Sequence, residues 1–501
     1  MSARRLATGG LIDRNRPITF TWDGKKRTGY SGDTLASALI ANGDSVVGGS
    51  FKDHRPRGVM SAGVEESGAI VTVGTGSRTE PNVKATMQEL YDGLAARGQN
   101  AWPSVRFDLG AVNNVLGRFL AAGFYYKTFM GIPPLEWGSG TGMWMRYERI
   151  IRKAAGMGKA SRLPDPDHYE HAHAFCDLLV VGAGPSGIAA AQAAAESGLN
   201  VVLVEQDSLL GGTQLSIPSC GSELIPSVEE LESMGVRVMT RTTAFGLYDY
   251  SVAGLLERVT DHLPDPPDYL PRHRFWTLRS KYTIVAAGAL ERHIAFGNND
   301  RPGVMTAAAV RTYMNRFAVL PGRNIIIATN NDSVYESAVE LSSVGAQVTL
   351  LDARNTVAKE YKQHLDEHNI EVRCGSAPLQ VQAAGHIAAL EVASADGDGW
   401  RAASTEPCDL VLVSGGWSPV VNLLSHRGVK PVWDSTQACF LAVECVEPIS
   451  VAGSAAGVWD SDDCVASGLA AAGDAIQLLR SQTSKITGPS AGGWQQPIQA
   501  L

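Results

Sequence analysis

Residues 177–206 read DLLVVGAGPSGIAAAQAAAESGLNVVLVEQ, and this stretch decides the fold class. An apolar run is followed by a glycine-rich turn, an alanine-rich helical segment and a second apolar run, which is the order of a βαβ unit. Gly182, Gly184 and Gly187 match the GxGxxG pattern. In such loops the first glycine permits the tight turn, the second lets a pyrophosphate approach the backbone, and the third lets the helix pack closely. The stretch therefore predicts a dinucleotide-binding α/β domain.

An acidic residue follows where a ribose acceptor is expected. Glu205 ends the second strand, close to the spacing of about 20 residues at which a carboxylate accepts ribose hydroxyls. An acid there favours an adenosine ribose over its 2′-phosphate. Gly211, Gly212 and Thr213 come next, and they either approach the ribose or pyrophosphate or form an ordinary turn. These elements fit NAD and FAD equally well.

A second βαβ pattern covers residues 324–352 but lacks the glycines. Its turn reads NNDSVY at 330–335, so a Cβ at every position blocks a pyrophosphate and Asp332 would repel it. We predict an empty or altered second site in a Rossmann-like unit kept for structure. Because buried-strand patterns occur on both sides of it, the unit is interpreted as an insert in the first domain. These patterns lie at residues 282–288, 409–416 and 449–457.

Composition excludes several classes of protein. The 501-residue chain carries a net charge of -8, which argues against a nucleic-acid or anionic-membrane surface, since both need concentrated Lys and Arg. No CxxC occurs and no cysteine precedes Cys176, so neither a disulfide framework nor a zinc or dithiol pair is indicated. No stretch approaches the roughly 18 apolar residues of a membrane span, and residues 1–16 lack the apolar core of a signal peptide. We expect a cytoplasmic protein with no metal site.

The N-terminal part predicts a separate small module. Residues 17–74 suggest short strands around one helix at 34–40, an order typical of a β-grasp module. Without a cysteine this module cannot hold the Cys-ligated cluster of ferredoxin-like proteins. The tract at 86–155 is rich in aromatic residues and is interpreted as a packing surface between domains or subunits. Residues 163–173 carry two prolines and are interpreted as a linker.

Four more specific segments accompany the fingerprint: SFKDHRPRG (50–58), FYYKTFM (124–130), GALERHIAFGNNDRPGVM (288–305) and GGWSP (415–419). Together they resemble the α subunit of heterotetrameric sarcosine oxidase over about residues 15–480. Subunits of opine and hydroxyproline dehydrogenases and of hydrogen cyanide synthase share parts of the pattern. The family joins a β-grasp module to a NAD-holding two-domain body, followed in full-length members by a folate-binding domain. The sequence stops before any such domain, so it is expected to be either the N-terminal part of such a subunit or a shorter member of the family.

The resemblance also implies how cofactor binding and substrate oxidation are divided between the subunits. This chain would hold NAD, while a flavin-bearing β subunit oxidises sarcosine to glycine, formaldehyde and hydrogen peroxide. FAD and FMN would be present in the complex, with one flavin at the subunit interface, and small accessory subunits would complete it. No catalytic residue is expected in this chain, because no His, Cys or acid pair lies in a catalytic motif. Two alternatives stay open: a FAD-dependent oxidoreductase of opines or secondary amino acids, and a catalytically silent nucleotide-binding scaffold.

The returning strand favours NAD over FAD in this chain. It carries Gly453 and Ser454 where FAD enzymes of related architecture place Gly-Asp to hold the ribityl chain. By resemblance, further NAD contacts come from the phosphate loop, the strand end after it and the return. The predicted cofactor-binding residues are Gly182, Gly184, Ser186, Gly187, Glu205, Gln206, Asp207, Gly212, Thr213, Ala244, Gly288, Ala452 and Gly453.

The predicted fold class is α/β with an α+β N-terminal module, in the architecture of flavoproteins with two dinucleotide-binding domains. The second Rossmann unit is predicted to be inserted in the first. The expected parts are a β-grasp module (1–90), an aromatic connector and linker (91–175), a NAD-binding domain (176–320 and 411–485), the insert (321–410) and a tail (486–501).

Overall fold

The computed structural model describes residues 4–51, 53–113, 158–218, 225–383, 385–397, 399–442 and 448–486. Most of the expected aromatic connector, including FYYKTFM at 124–130, lies outside the described residues. The same holds for the tail from residue 487 onward. The described parts form an N-terminal α+β module and two α/β domains, and the expected fold class is confirmed.

The N-terminal module is a five-stranded sheet covered by a short helix. Its elements are β1 (Asp13–Trp22), β2 (Lys25–Ser31), α1 (Leu35–Ala41), β3 (Gly48–Gly49), β4 (Pro56–Arg57), β5 (Ile70–Val73), β6 (Glu80–Lys84), β7 (Ala95–Gly98), β8 (Pro103–Ser104) and β9 (Phe107–Asp108). The sheet order is β2-β1-β7-β5-β6, in which β1 and β7 run parallel. Every residue of α1 is buried, and Thr34 and Ser37 form a capping box at its start. The module therefore has the β-grasp arrangement that the sequence predicts.

The first α/β domain begins with the stretch that carries the fingerprint. Its elements up to the insert are β10 (Tyr169–Val181), α2 (Pro185–Glu196), β11 (Val201–Val204), α3 (Val228–Ser233), β12 (Val236–Met239), β13 (Thr242–Tyr248), β14 (Val252–Arg258) and β15 (His273–Val285). The strands β12, β11, β10 and β15 are parallel neighbours, and β13 and β14 form an antiparallel extension on β15. Their apolar runs are buried, as expected for a parallel sheet covered by helices.

Strand β10 starts earlier than expected, which corrects the linker assignment for residues 169–173. It pairs with β15 from Tyr169 opposite His273 to Val181 opposite Val285. Ala174 faces the core while His173 is exposed, so the segment alternates as a strand should. Alanine and histidine carry little β-propensity, and the long partner strand supplies the pairing that the local sequence does not announce.

The second α/β domain follows, after a short strand between the two domains. Its elements are β16 (Ala289–Glu291), β17 (Val304–Thr306), α4 (Ala307–Phe317), β18 (Asn324–Thr329), α5 (Tyr335–Ser343), β19 (Gln347–Asp352), α6 (Lys359–Glu367), β20 (Glu371–Cys374), β21 (Ser376–Ala383), β22 (Ile387–Asp396), β23 (Gly399–Pro407) and β24 (Leu410–Ser414). The parallel sheet has the order β17-β24-β18-β19-β20. Strands β21 to β23 form a separate antiparallel sheet.

This second sheet extends beyond the insert expected at 321–410. Strand β17 precedes that range and most of β24 follows it, yet both strands belong to the sheet. Helix α4, also before residue 321, packs with the same core through Val310 and Phe317. The expected boundary was drawn from the local βαβ pattern. That pattern does not include β17 and β24, which pair with each other although they are distant in sequence.

The chain then returns to the first domain. The remaining elements are β25 (Trp417–Pro419), α7 (Asn422–Ser425), β26 (Val432–Asp434), β27 (Cys439–Leu441), β28 (Ile449–Val451) and α8 (Ser461–Ile486). Strand β25 pairs with β16 between the domains, and β28 adds to β15. Helix α8 packs on α2, where Gly468 lets the two backbones approach. No helix in the described ranges is long and apolar enough to cross a membrane.

A buried ion pair joins the N-terminal segment to the β-grasp module and to the end of helix α4. The Arg5 guanidinium donates to the two Asp33 carboxylate oxygens at 3.1 and 2.7 Å and to the Phe317 carbonyl at 2.6 Å. The side chains of Arg5 and Asp33 are 5% and 0% exposed. Asp33 also accepts from the Tyr30 amide and the Ser37 hydroxyl. The pair therefore ties the β-grasp module to the end of α4.

We expect Asp33→Ala to lower the free energy of unfolding by about 3–5 kcal/mol, because Arg5 would stay buried without its carboxylate. Urea denaturation followed by intrinsic tryptophan fluorescence, to which the buried Trp22 contributes, measures this loss. Arg14→Ala serves as the control, because Arg14 is half-buried and its hydrogen bond to the Gly9 carbonyl is exposed to solvent, and its effect should stay within about 0.5 kcal/mol. Equal effects of the two substitutions would contradict the assignment.

Candidate functional site

The fingerprint loop lies at the carboxyl edge of the first sheet, between β10 and α2. Gly182 has a φ of 102°, and a Cβ there would lie 2.3 Å from the Ala286 carbonyl oxygen. A Cβ on Gly187 would lie 1.8 Å from the Gly182 carbonyl oxygen. Both contacts join backbone to backbone, so neither can be relieved by moving a side chain. The first and third glycines are therefore required by packing.

Gly184 has the opposite environment. A Cβ added to it would meet no protein atom within 4 Å, and its φ of -76° suits any residue. The turn at Gly212 approaches from one side, where a Cβ would lie 3.1 Å from the Gly184 Cα, and the Gly211 amide donates to the Ala183 carbonyl. The space over Gly184 faces the start of the twelve-residue helix α2. We call this space over Gly184 the cradle. Free amide groups and the helix dipole make it fit a pyrophosphate.

Glu205 lies directly beside the loop. Its carboxylate accepts the Ala183 amide at 2.8 Å and the Asp207 amide at 2.9 Å. Burial raises the pKa of this carboxyl, and the backbone hydrogen bonds oppose that effect. Each carboxylate oxygen has a second acceptor position, so ribose hydroxyls can still be accepted. Glu205 thus braces the loop while retaining capacity for a ribose.

The next residues are held by arginines that the sequence analysis did not single out. Asp207 accepts two hydrogen bonds from the Arg316 guanidinium, at 2.6 and 2.8 Å. Burial alone would raise the pKa of Asp207, but the charge and hydrogen bonds of Arg316 lower it to about 2. The Gln206 carbonyl accepts from Arg258 at 2.9 Å. The role of Gln206 and Asp207 as NAD contacts stays a prediction, and in the structure the Asp207 carboxylate serves Arg316.

The returning strand β28 and the residues after it pack against β15 and the phosphate loop. The Ala452 amide donates to the Val285 carbonyl at 3.1 Å, and Gly453 has a φ of 64°. A Cβ on Gly453 would lie 2.0 Å from the Ser186 hydroxyl oxygen, so this glycine makes room for Ser186. The Ser454 hydroxyl lies 3.9 Å from the Cys464 sulfur.

A cavity of about 2410 Å³ joins these residues to both other parts of the chain. It extends from the phosphate loop along α4 to the turn before α5, and the β-grasp module covers one side. Gly187 and Gly453 are not part of its lining, and they act by packing behind it. The predicted residues that line it are Gly182, Gly184, Ser186, Glu205, Gln206, Asp207, Gly212, Thr213, Ala244, Gly288 and Ala452.

The turn of the second domain provides no such cradle. The Asn331 side-chain oxygen accepts from the Ser333 amide and hydroxyl at 3.1 and 2.6 Å, so the donors at this position are used internally. Asp332 pairs with Arg354 at 2.7 Å, and Arg354 also binds Asp352 at 2.8 Å. Side chains therefore fill the place that glycines leave open in the first loop.

Glu291 is a further carboxyl in the cavity that the sequence analysis did not weigh. It ends β16, lines the cavity and accepts the Ala308 amide at 2.7 Å. Burial raises its pKa to about 7, although hydrogen bonds from Ser414, Ala308 and Thr306 act in the other direction. Its only sequence signal was its position three residues after Gly288 in the GALER segment.

One family profile matches more than half of the chain. The profile of the pyridine nucleotide-disulphide oxidoreductases matches residues 176–457. The chain belongs to this family. The match covers both α/β domains and includes the phosphate loop and the returning strand. An oxidoreductase framework therefore surrounds the cavity.

Curated relatives agree with the resemblance stated from the sequence, which is confirmed. Sarcosine oxidase subunit alpha of Rhizobium meliloti (strain 1021) is 46% identical over 96% of this chain and 48% of that protein. The subunit of the same name from Corynebacterium sp. (strain U-96) is 33% identical over 94% of this chain and 44% of that protein. The chain spans about half the length of the curated relatives it matches.

A solved structure shows the same fold. L-proline dehydrogenase from P. horikoshii superposes with a TM-score of 0.60 and 17% sequence identity, covering 97% of this chain and 79% of that one. At this identity the similarity concerns the architecture only.

The profile of a 2Fe-2S iron-sulfur cluster binding domain matches residues 15–101. The residues of this chain do not fit such a cluster, because no cysteine occurs before Cys176. The β-grasp fold is thus retained without its thiolate ligands.

The different environments of the second and third glycines, Gly184 and Gly187, predict opposite phenotypes. Gly187→Ala forces a methyl group into the Gly182 carbonyl and should destabilise the protein by about 1–3 kcal/mol. Gly184→Ala meets no protein atom, so it should leave the melting temperature of the nucleotide-free protein unchanged and weaken nucleotide binding. Thermal unfolding and nucleotide content measure the two effects. A fall in melting temperature for Gly184→Ala as large as that for Gly187→Ala would contradict the model of the loop.

The Asp207–Arg316 pair predicts a pH dependence. With the folded pKa lowered to about 2, the carboxylate contributes stability that is complete above its unfolded pKa, near 3.9, and is lost as the pH falls towards about 2. Asp207→Asn should cost about 1–2 kcal/mol at neutral pH, less than a fully buried pair because Asp207 is partly exposed. The difference in melting temperature from wild type should shrink below about pH 4.

Glu232→Gln is the control, because Glu232 is exposed on α3. Its melting temperature should follow that of the wild type at every pH. A difference between Asp207→Asn and wild type that stays constant down to about pH 2 would refute the ion-pair assignment.

Proposed function

We propose that this chain is the NAD-holding alpha subunit of a multi-subunit, flavin-dependent sarcosine oxidase. The complex oxidatively demethylates sarcosine to glycine, formaldehyde and hydrogen peroxide, and the oxidation takes place in a flavin-bearing beta subunit. The similarity to two sarcosine oxidase alpha subunits supports this assignment. It remains a proposal for the whole activity, because the chain spans only about half of each relative.

The contrast between the two loops carries the proposal. One loop leaves open space over Gly184, and the corresponding turn of the second domain is closed by Asn331 and Asp332. A reductase that passes electrons from a soluble pyridine nucleotide to a bound flavin needs two dinucleotide sites. The single open loop supports the proposal that this chain holds one dinucleotide and not two.

The residues around the cradle favour NAD as that dinucleotide. The glycine loop and α2 would hold the pyrophosphate, Glu205 would accept ribose hydroxyls, and Ala244 on β13 would lie near the adenine end. Ser454 offers a hydroxyl where an acid would hold the ribityl chain of FAD. A bound NAD supplies a two-electron acceptor. The chain itself contributes binding and orientation.

The cavity also lacks a dithiol centre. Cys464 lines it and donates to the Val458 carbonyl at 3.2 Å, and no second cysteine belongs to the lining in the described part of the chain. The chain therefore differs from disulfide reductases in the groups that would carry their chemistry. We propose that FAD and FMN are held in the complex, with small accessory subunits, in the cytoplasm.

The proposal predicts which nucleotide depends on this chain. The complex is purified with its partner subunits, denatured, and its released nucleotides are identified by mass spectrometry. We expect about one NAD per chain in the wild type, and its selective loss in Gly184→Val, whose side chain fills the cradle. FAD and FMN should be retained, because they are held elsewhere.

Gly473→Val provides the matched control, since Gly473 also has open space around it but lies on α8 away from the cavity. It should retain NAD. Selective loss of FAD in Gly184→Val would show that this chain holds FAD and would reject the proposal. Sarcosine-dependent hydrogen peroxide formation is expected from the complex and not from this chain alone.

A further inference from the structure

The Glu291 carboxyl is held in a fixed position on the wall of the cavity. It accepts the Ala308 amide, in the first turn of α4, at 2.7 Å. The side chains of Ser414 and Thr306 lower its pKa, against the larger effect of burial. Its own strand β16 and the amide at the start of α4 therefore hold this group in place. It faces the same cavity as the phosphate loop.

A chain of contacts leads from the phosphate loop to this carboxyl. The turn at Gly212 packs against Gly184, and the same turn ends at Ser216. The Ser216 hydroxyl lies 2.8 Å from the Thr312 hydroxyl on α4. Thr312 is one helical turn beyond Ala308, a rise of about 6 Å. Glu291 therefore lies along the wall by which a dinucleotide anchored at Gly184 would extend away from its adenosine half.

Among the residues that the structure describes, no Lys, Arg or His forms an ion pair with Glu291. Arg311 on α4 is engaged by Glu340 and Glu336. Glu65, from the β-grasp module, raises the pKa of Glu291 further. The charged or titratable groups on neighbouring segments are Glu65, Arg292, His293 and Arg311. Burial lowers the pKa of His293, which favours its neutral form, and Arg292 donates to the Ala438 carbonyl.

We propose that Glu291 determines which oxidation state of the nicotinamide dinucleotide this chain retains, favouring NAD⁺ over NADH. The inference rests on the proposed NAD site. The pyridinium ring of NAD⁺ carries a positive charge that the dihydropyridine ring of NADH lacks, and the rest of the two molecules is the same. A carboxylate near that ring therefore attracts NAD⁺ selectively. The neutral carboxylic acid does not discriminate in this way.

The selectivity must then depend on pH. Below the pKa of about 7 Glu291 is protonated, and above it the carboxylate is present. Affinity for NAD⁺ rises with pH through this range, because the cation stabilises the ionised form. Affinity for NADH changes only through groups that affect both molecules alike. The ratio of bound NAD⁺ to bound NADH isolates the effect of the ring.

The test uses the purified complex incubated with equal concentrations of NAD⁺ and NADH at about pH 6 and about pH 8. Bound nucleotides are separated by rapid gel filtration and quantified by mass spectrometry. In the wild type, the ratio of bound NAD⁺ to NADH should rise by about fivefold between these two pH values, which corresponds to a downward shift of about one unit in the pKa of Glu291 when NAD⁺ binds. Glu291→Gln, which keeps an acceptor for Ala308, should give the low ratio at both pH values.

Glu65→Gln is the matched control, because it removes a neighbouring carboxylate and leaves Glu291. It should retain the rise, with the step displaced to lower pH. A flat ratio in the wild type, or a rise retained in Glu291→Gln, overturns the inference, and the wild-type result decides even if the variant does not fold. Binding of both nucleotides with a flat ratio leaves the NAD site intact. Failure of both to bind overturns the proposed function and this inference together.

Discussion

Contact between bare backbones at the phosphate loop is the constraint on which the rest of the structure depends. Gly182 packs against Ala286 and Gly187 packs against Gly182, at distances that no Cβ could tolerate. These contacts bring β10, α2 and β15 together, and the returning strand then packs behind Ser186 through Gly453. Only after this packing is complete does the space over Gly184 become a cradle.

The second domain shows what the same topology becomes without that constraint. Its turn carries side chains, and they satisfy the local donors and charges through Asn331 and the Asp332–Arg354 pair. The domain keeps a buried parallel sheet, so the change in the turn leaves the architecture intact. Its role is to supply one wall of the cavity, through α4 and the strands that hold Glu291. Fold and function are separable in this way because a core needs only apolar burial, whereas a phosphate site needs free amides.

Local patterns predicted much of this organisation. The fingerprint, the β-grasp order and the family resemblance all depend on residues close together in sequence, and the resemblance to sarcosine oxidase alpha subunits is confirmed by the relatives. The linker at 169–173 and the limits of the insert differed from the structure. Both depend on pairing between distant strands, β10 with β15 and β17 with β24. Such pairing overrides weak local propensity.

The sequence by itself determined that one βαβ turn is open to a pyrophosphate and the other is not, because this depends on whether a Cβ is present at successive positions. Only the tertiary structure decided what surrounds the open turn. It showed that Asp207 is engaged by Arg316, more than a hundred residues away, and that Glu291 shares the cavity with a pKa raised to about 7. Charge partners and burial are properties of the assembled chain, and no spacing within a motif encodes them.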